Sequence, residues 1–414
     1  MALRSFRRWP RSGQILAGAA LVVSLTALAW WRFGEHFYVR WLLESPSSGR
    51  CQKRLNKAVL TRSIKLGTSF LLAHQKPDGN FDYEYDWHTG WLSSDDQETR
   101  QAGALWGLTL LYQDEQRPDL AAAIERGLSY FNEHSLLVNG ARCTVYPGSE
   151  VGHSGTVALV ALAHIEYLRA ARELPSAQRQ LLDARVGEYV RLLTQSTFPN
   201  GLWHGDYELT KCKAQGDSSP YYDGEALLAL VKAAKYLGRS ELLPTIMSSA
   251  AGGKLLNIDQ ARIEEPDSDV TKGYYQWSSM AFYELATSDL PDTKLYGDAL
   301  LELADWVIDT HRILTRNRNT GYAYEGIIHA YALAKQRGDA ARTAKYGCVI
   351  DLGLERLLSW QVGSPLPNRY TAGASPIDGK ALGGVQNEPF DSALRIDVTQ
   401  HQMHALQLAR QYVY

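Results

Sequence analysis

The sequence predicts an all-α protein: six helical hairpins closed into an (α/α)6 toroid, behind an N-terminal transmembrane helix. Three observations predict it: two alternating kinds of helix, a degenerate repeat of hairpin size, and one apolar run near the amino terminus.

The N-terminal run comes first. Arg4, Arg7, Arg8 and Arg11 precede an uncharged stretch from Ile15 to Trp31, which continues to Phe33 with only Arg32 interrupting. About 17–20 apolar residues reach across a bilayer core, and arginines before such a run keep the N-terminus cytoplasmic. Residues 1–12 therefore read as a basic cytoplasmic tail and 13–33 as a single-pass signal anchor in the inner (cytoplasmic) membrane. Residues 34–54 read as a Pro- and Ser-containing stalk, and 55–414 as a periplasmic or extracellular toroid domain. Ala27-Leu28-Ala29 has the form of a cleavage site, so a removable signal peptide is the alternative. Either way the main domain is exported.

After residue 55 amphipathic helices are expected at 55–75, 118–134, 177–196, 240–250, 291–311 and 340–360. In 291–311, Leu295, Ala299, Leu300, Leu303 and Val307 recur at helical spacing between charges. Between them lie segments apolar on nearly every face, at 98–112, 155–168, 224–237, 276–286, 323–335 and 397–410, and such helices belong inside. Six inner helices alternating with six outer ones form a degenerate hairpin repeat. No strand-like alternation supports a β alternative. Each inner helix follows a loop rich in Gly and aromatics, so the six loops gather on one rim. The longest of them, 361–395, is the candidate lid.

Composition excludes some partners. A formal net charge of −2 leaves no basic footprint for nucleic acid. Many of the 23 Tyr and 11 Trp fall in the rim loops, where aromatic faces suit sugar rings; capping of a helical core is the other use of such residues. Cys143 and Cys212 lie in loops of successive repeats and are the candidate disulfide pair of an exported domain, with free buried thiols as the alternative. The zinc signature HExxH, the P-loop and GxGxxG are absent, and so is GxSxG. No cofactor or metal is expected.

Four inner helices carry an acid near their start: Glu98, Glu225, Glu325 and Asp397. In a closed ring these converge on one cavity, where crowding and desolvation split carboxyl pKa values. First-turn acids are also favoured by the helix dipole alone. Glu225, Glu325 and Asp397 are the candidate catalytic carboxylates. Asp397 and His401, one turn apart, make a candidate carboxylate–imidazole pair, and His153 is the second candidate for proton transfer. His404 is expected to pack between helices. Candidate substrate-binding residues are Asp96, Glu98, Arg100, Tyr222, Asp223, Trp277 and Tyr324. Arg100 suits a uronate carboxylate and equally an internal salt bridge with Asp96 or Glu98.

The segments SSPYYDGEALLAL, NTGYAYEGIIHAYALA and RIDVTQHQMHAL, with the hairpin count and rim loops, resemble the six-hairpin toroids. These include six-hairpin glycosidases, toroidal polysaccharide lyases, the N-acylglucosamine 2-epimerase group and the terpenoid-cyclase toroids. The resemblance covers about residues 55–414 and implies an active site at the cavity mouth, with no one family's catalytic pattern matched. It implies a membrane-anchored, carbohydrate-active enzyme working on a cell-envelope or secreted polysaccharide by hydrolysis, elimination or epimerisation. A place beside a membrane-bound synthesis or export machine follows from the tether. The alternatives are a non-catalytic glycan-binding or scaffold subunit of such a machine, and a terpenoid-cyclase-like toroid acting on a lipid-linked substrate.

Overall fold

The computed structural model describes residues 51, 53–373 and 378–414. Residues 53–414 form one compact unit, which carries everything below. The basic tail, the anchor and nearly all of the stalk lie outside the described residues. Among the described residues, no helix is long and apolar enough to cross a membrane.

The two kinds of helix take the two places expected of them. The inner helices are α2 (Glu98–Asp114), α4 (Ser154–Ala170), α6 (Pro220–Leu237), α8 (Asp269–Ala286), α10 (Gly321–Gln336) and α12 (Ile396–Tyr412). Each packs on the next and α12 packs back on α2, which closes the ring. The outer helices are α1 (Lys57–Ala73), α3 (Pro118–Glu133), α5 (Ser176–Gln195), α7 (Leu243–Gly253), α9 (Tyr296–Asp309) and α11 (Ala340–Leu358). α7 runs on into a π-helical stretch, Lys254–Gln260. α4 shows the inner logic: from Ser154 to Leu168 every residue is buried, His164 and Glu166 included. Close approach between inner helices needs missing side chains. A Cβ at Gly107 of α2 would lie 2.2 Å from Gln400 Cγ of α12.

The rim departs from the expectation of plain loops. Among the described residues it carries seven short strands: β1 (Glu84–Asp86), β2 (Ser135–Val138), β3 (Ala141–Thr144), β4 (Gly152–His153), β5 (Asp206–Glu208), β6 (Lys213–Gln215) and β7 (Ala393–Arg395). Pairing is antiparallel: β1 with β7, β2 with β3, and β4-β5-β6. Strands of two to four residues are too short for a period-two pattern to show. Asn139-Gly140, both at positive φ (52° and 78°), makes the tight β2–β3 turn. Cys143 of β3 is disulfide-bonded to Cys212, with Cα atoms 5.7 Å apart, and no cysteine is free among the described residues.

Segment 361–395 is not a free lid. Gln361, Val385 and Gln386 are fully buried, and bridges join Gln361 to Val385 and Gln386 to Leu394. Gly383, at φ +93°, lies so close to the Leu66 carbonyl that a Cβ would sit 1.9 Å from the oxygen. Residues 374–377 lie outside the described residues. At the end away from the rim, a buried ion network closes the ring. Lys232 of α6 bonds Glu166 of α4 and lies 3.5 Å from Glu284 of α8. Arg169 and Lys235 complete the pairing.

Candidate active site

Glu325 lies in the second turn of α10 and is fully buried. Gln276 of α8 donates through Nε2 to its Oε2 at 2.5 Å. Nδ1 of His401 and Nδ1 of His404, three residues apart on one face of α12, lie 3.2 and 3.1 Å from its Oε1. Burial pushes the carboxyl pKa up. The two imidazoles outweigh it by charge and hydrogen bonding, and the value falls to about 2. Glu325 is therefore ionised at neutral pH, and His401 Nδ1 lies between its carboxylate and Gln276 Nε2, 3.0 Å away. In the tautomer that donates from Nδ1 to the carboxylate, Nε2 is the basic nitrogen. His404 is buried, whereas the His401 side chain keeps 21% exposure. His401 is thus the more exposed of the two imidazoles.

Two buried tryptophans flank the histidines. Trp106 of α2 and Trp277 of α8 come from opposite sides of the ring, with ring centroids 5.4 Å apart. Trp277 meets the His401 ring edge-on at 5.9 Å, and Trp106 meets His404 at 5.2 Å. Below them His329 Nδ1 contacts the Glu325 carbonyl at 2.7 Å, and burial lowers its pKa to about 4, so it is neutral.

The wall formed by α2, α4 and α6 holds acids of the opposite character. Glu225 is buried, its Oε2 without a hydrogen-bond partner. Burial alone pushes its pKa well above 4.5, which keeps the proton on. It fits because position 155 is glycine; a Cβ there would lie 2.3 Å from Glu225 Oε2 and from the Tyr222 ring. Glu98 accepts from Ser149 Oγ at 2.9 Å and its Oε2 is unpartnered. Burial raises its pKa, partly offset by His153, whose Nε2 lies 3.9 Å away. The β4–β5 register places His153 opposite Asp206, and Nδ1 meets Asp206 Oδ1 at 2.7 Å. A second imidazole–carboxylate pair therefore stands at the mouth, its Nε2 turned toward a buried acid.

The lip above α12 is charged. Arg395, at the end of β7, grips Asp397 through Nε (3.0 Å) and Nη2 (2.5 Å). Arg100 Nε lies 3.4 Å from the same carboxylate, and both guanidinium groups sit over the Tyr83 ring at 5.5–5.6 Å. Burial raises the Asp397 pKa, but the arginines more than offset this, so the group is ionised. Asp397 therefore serves Arg395, two residues upstream, and His401 is oriented by Glu325 instead. Arg100 pairs with neither Asp96 nor Glu98, the partners expected of it.

Three expected substrate-binding residues stand elsewhere. Asp96 accepts from Gln101 Nε2 (2.7 Å) and Tyr146 Oη (2.6 Å), pinning its own loop. Asp223 accepts from Trp203 N, Ser218 Oγ and Asn257 Nδ2 at 2.7–2.9 Å, with burial raising its pKa to about 6. Tyr324, next to Glu325 and so about 100° around the helix, points outward: a Cβ at Gly353 of α11 would lie 1.7 Å from its hydroxyl. The sequence reading missed Gln276, Trp106, Asp206 and Arg395. Of these only Arg395, close to Asp397 in the chain, left a local signal.

No protein-family model matches the chain, and no curated protein matches it in sequence. Solved structures do. A D-mannose isomerase superposes with a TM-score of 0.60 at 13% identity, covering 86% of this chain and 98% of that one. The cellobiose 2-epimerase of Spirochaeta thermophila gives 0.57 at 14%, covering 86% and 96%. An α-mannanase of Bacteroides thetaiotaomicron gives 0.57 at 9%, covering 85% and 96%. The chain has the six-hairpin toroid fold. Identities this low establish the fold alone.

Proposed function

We propose that the toroid is a carbohydrate-active enzyme that moves protons at a sugar carbon, in epimerisation or isomerisation. The observation that carries this is the Glu325–His401 pair: a buried, ionised carboxylate in contact with a partly exposed imidazole. His401 Nε2 takes the proton from the carbon beside the sugar carbonyl, and the electron pair moves into the carbonyl as an enediolate. Glu325 stabilises the resulting imidazolium, while the neutral Glu225 carboxyl donates a hydrogen bond to the developing oxyanion. His153, held by Asp206, returns a proton from its own side of the ring. The folds it shares with a mannose isomerase and a sugar epimerase are compatible with this chemistry.

Glycoside hydrolysis is the second reading. A protonated Glu225 and an ionised Asp397 in one cavity are the kinds of carboxyl it uses, and an inactive mannanase of the same fold was solved with α-1,6-mannotetrose. The export reading, with the domain on the outer face of the cytoplasmic membrane beside polysaccharide synthesis or export machinery, draws support from the disulfide. Such bonds persist in oxidising compartments.

Product analysis by NMR tests the choice, using aldoses, neutral oligosaccharides and uronate-containing polymers. Epimer or isomer formation that vanishes in His401→Asn is expected. New reducing ends without epimer, surviving in His401→Asn and lost in Glu225→Gln, would establish hydrolysis instead.

A further inference from the structure

Among the described residues only three aromatic side chains are exposed: Trp91 (55%), Tyr221 (48%) and Phe390 (72%). All three stand on the rim, Trp91 and Phe390 in the segments flanking β1 and β7, and Tyr221 at the start of α6. The outer helices and the closed end expose aliphatic side chains such as Leu181 and Leu295, but no aromatic one. Single exposed apolar residues need no explanation; confinement of every exposed aromatic to the rim does.

Trp91 and Phe390 belong to a built surface. β1 and β7 pair in the register Glu84↔Arg395 to Asp86↔Ala393, and Trp87 N donates to Ser392 O at 3.1 Å one step further on. The ladder thus runs from Arg395, at the cavity lip, outward for about 10 Å. There Tyr370 stands edge-on to Phe390 (5.7 Å) and to Trp87 (5.6 Å), with His88 at 5.4 Å. Asp86 fixes the turn beneath Trp91. It accepts from His88 N, Thr89 N and Ser392 Oγ, and its own N donates to Trp91 O at 2.9 Å. Phe390 is held at φ +66°, a conformation that a bulky side chain seldom adopts.

We propose that Trp91, Tyr370 and Phe390 form a glycan subsite outside the cavity, so that the substrate is an oligosaccharide chain. One unit enters toward His401, and the units next to it lie along the β1–β7 lip with their apolar faces on the rings. The inference rests on the carbohydrate reading of the cavity. It adds that affinity grows with chain length and that this gain resides in the lip.

The test is calorimetry on the full chain with mannose against α-1,6-mannotetraose and glucose against cellotetraose. Trp91→Ala, Phe390→Ala and the double variant are compared with wild type, and Leu181→Ala serves as an exposed control. The wild type is expected to bind at least one tetrasaccharide about tenfold or more tighter than its monosaccharide. The double variant is expected to lose most of that ratio, and the control none. Melting temperatures check that the variants fold. A wild-type ratio near one, no tetrasaccharide binding, or a ratio unchanged in the double variant overturns the subsite. So does loss of self-association or of binding to phosphatidylglycerol vesicles at unchanged glycan affinity, which assigns the lip to another occupant. Deuterium exchange at the sugar is followed in the same samples. Exchange without a length gain keeps the proton-transfer reading and sinks the subsite; a length gain without exchange does the reverse.

Discussion

Replacing Glu325 with Gln removes the carboxylate that His401 and His404 share and keeps the shape of the protonated carboxyl. The folded pKa of about 2 lies below the ordinary 4.5, and each unit of that difference is worth about 1.4 kcal/mol. The ionised carboxylate therefore stabilises the fold by about 3 kcal/mol. Because the folded value is the lower one, this stability is fully present above pH 4.5 and is lost as pH falls toward 2. By pH 3 less than half of it remains. Chemical denaturation of wild type and Glu325→Gln at pH 6 and pH 3 reads the difference directly. The expected result is a gap of about 3 kcal/mol at pH 6 that shrinks by more than half at pH 3. Equal stability at pH 6, or a gap that does not change with pH, would refute the assignment of Glu325 as a buried anion held by His401 and His404.

Three further outcomes follow from the same structure. Glu225 has a folded pKa above its unfolded one, so its contribution is intact below pH 4.5 and is lost as pH rises through the folded value. Glu225→Gln is expected to flatten the alkaline fall in melting temperature and to change little at pH 4. The Cys143–Cys212 bond closes a loop of 69 residues; chain entropy values it at about 4 kcal/mol, to be measured by denaturing the double Ser variant beside the oxidised wild type. Lys232→Met strips a shared cation from Glu166 and Glu284 and is expected to cost about 3 kcal/mol in the same assay. A loss under 1 kcal/mol would show that Arg169 and Lys235 suffice.

The ring was legible because its signal is redundant. α4 and α6 are apolar on nearly every face, α3 and α9 on one, and that contrast survives errors of a few residues. The site was legible only by level. A helix start says that Glu225, Glu325 and Asp397 lie near one rim, but not which neighbour each meets. Gln276 was read as the first residue of α8, whereas the helix begins at Asp269, so Gln276 stands two turns in and reaches Glu325. His404 was expected to pack passively, and its true partner lies 79 residues away. Asp397 and His401 have the spacing of a pair, yet the nearer cation, Arg395, takes the carboxylate. Tyr324 failed by phase: one residue from Glu325, it faces the outer ring. The strands were hidden by their length, and β1 meets β7 across almost the whole domain.

The most direct test of the proton-transfer role is deuterium incorporation from D2O into the carbon-bound hydrogens of a sugar turned over by wild type, His401→Asn and His404→Asn. Incorporation by wild type at the carbon beside the carbonyl is expected, abolished in His401→Asn and only reduced in His404→Asn. Turnover without incorporation, or incorporation that persists without His401, would contradict the assignment of His401 and Glu325 as the proton-transfer pair.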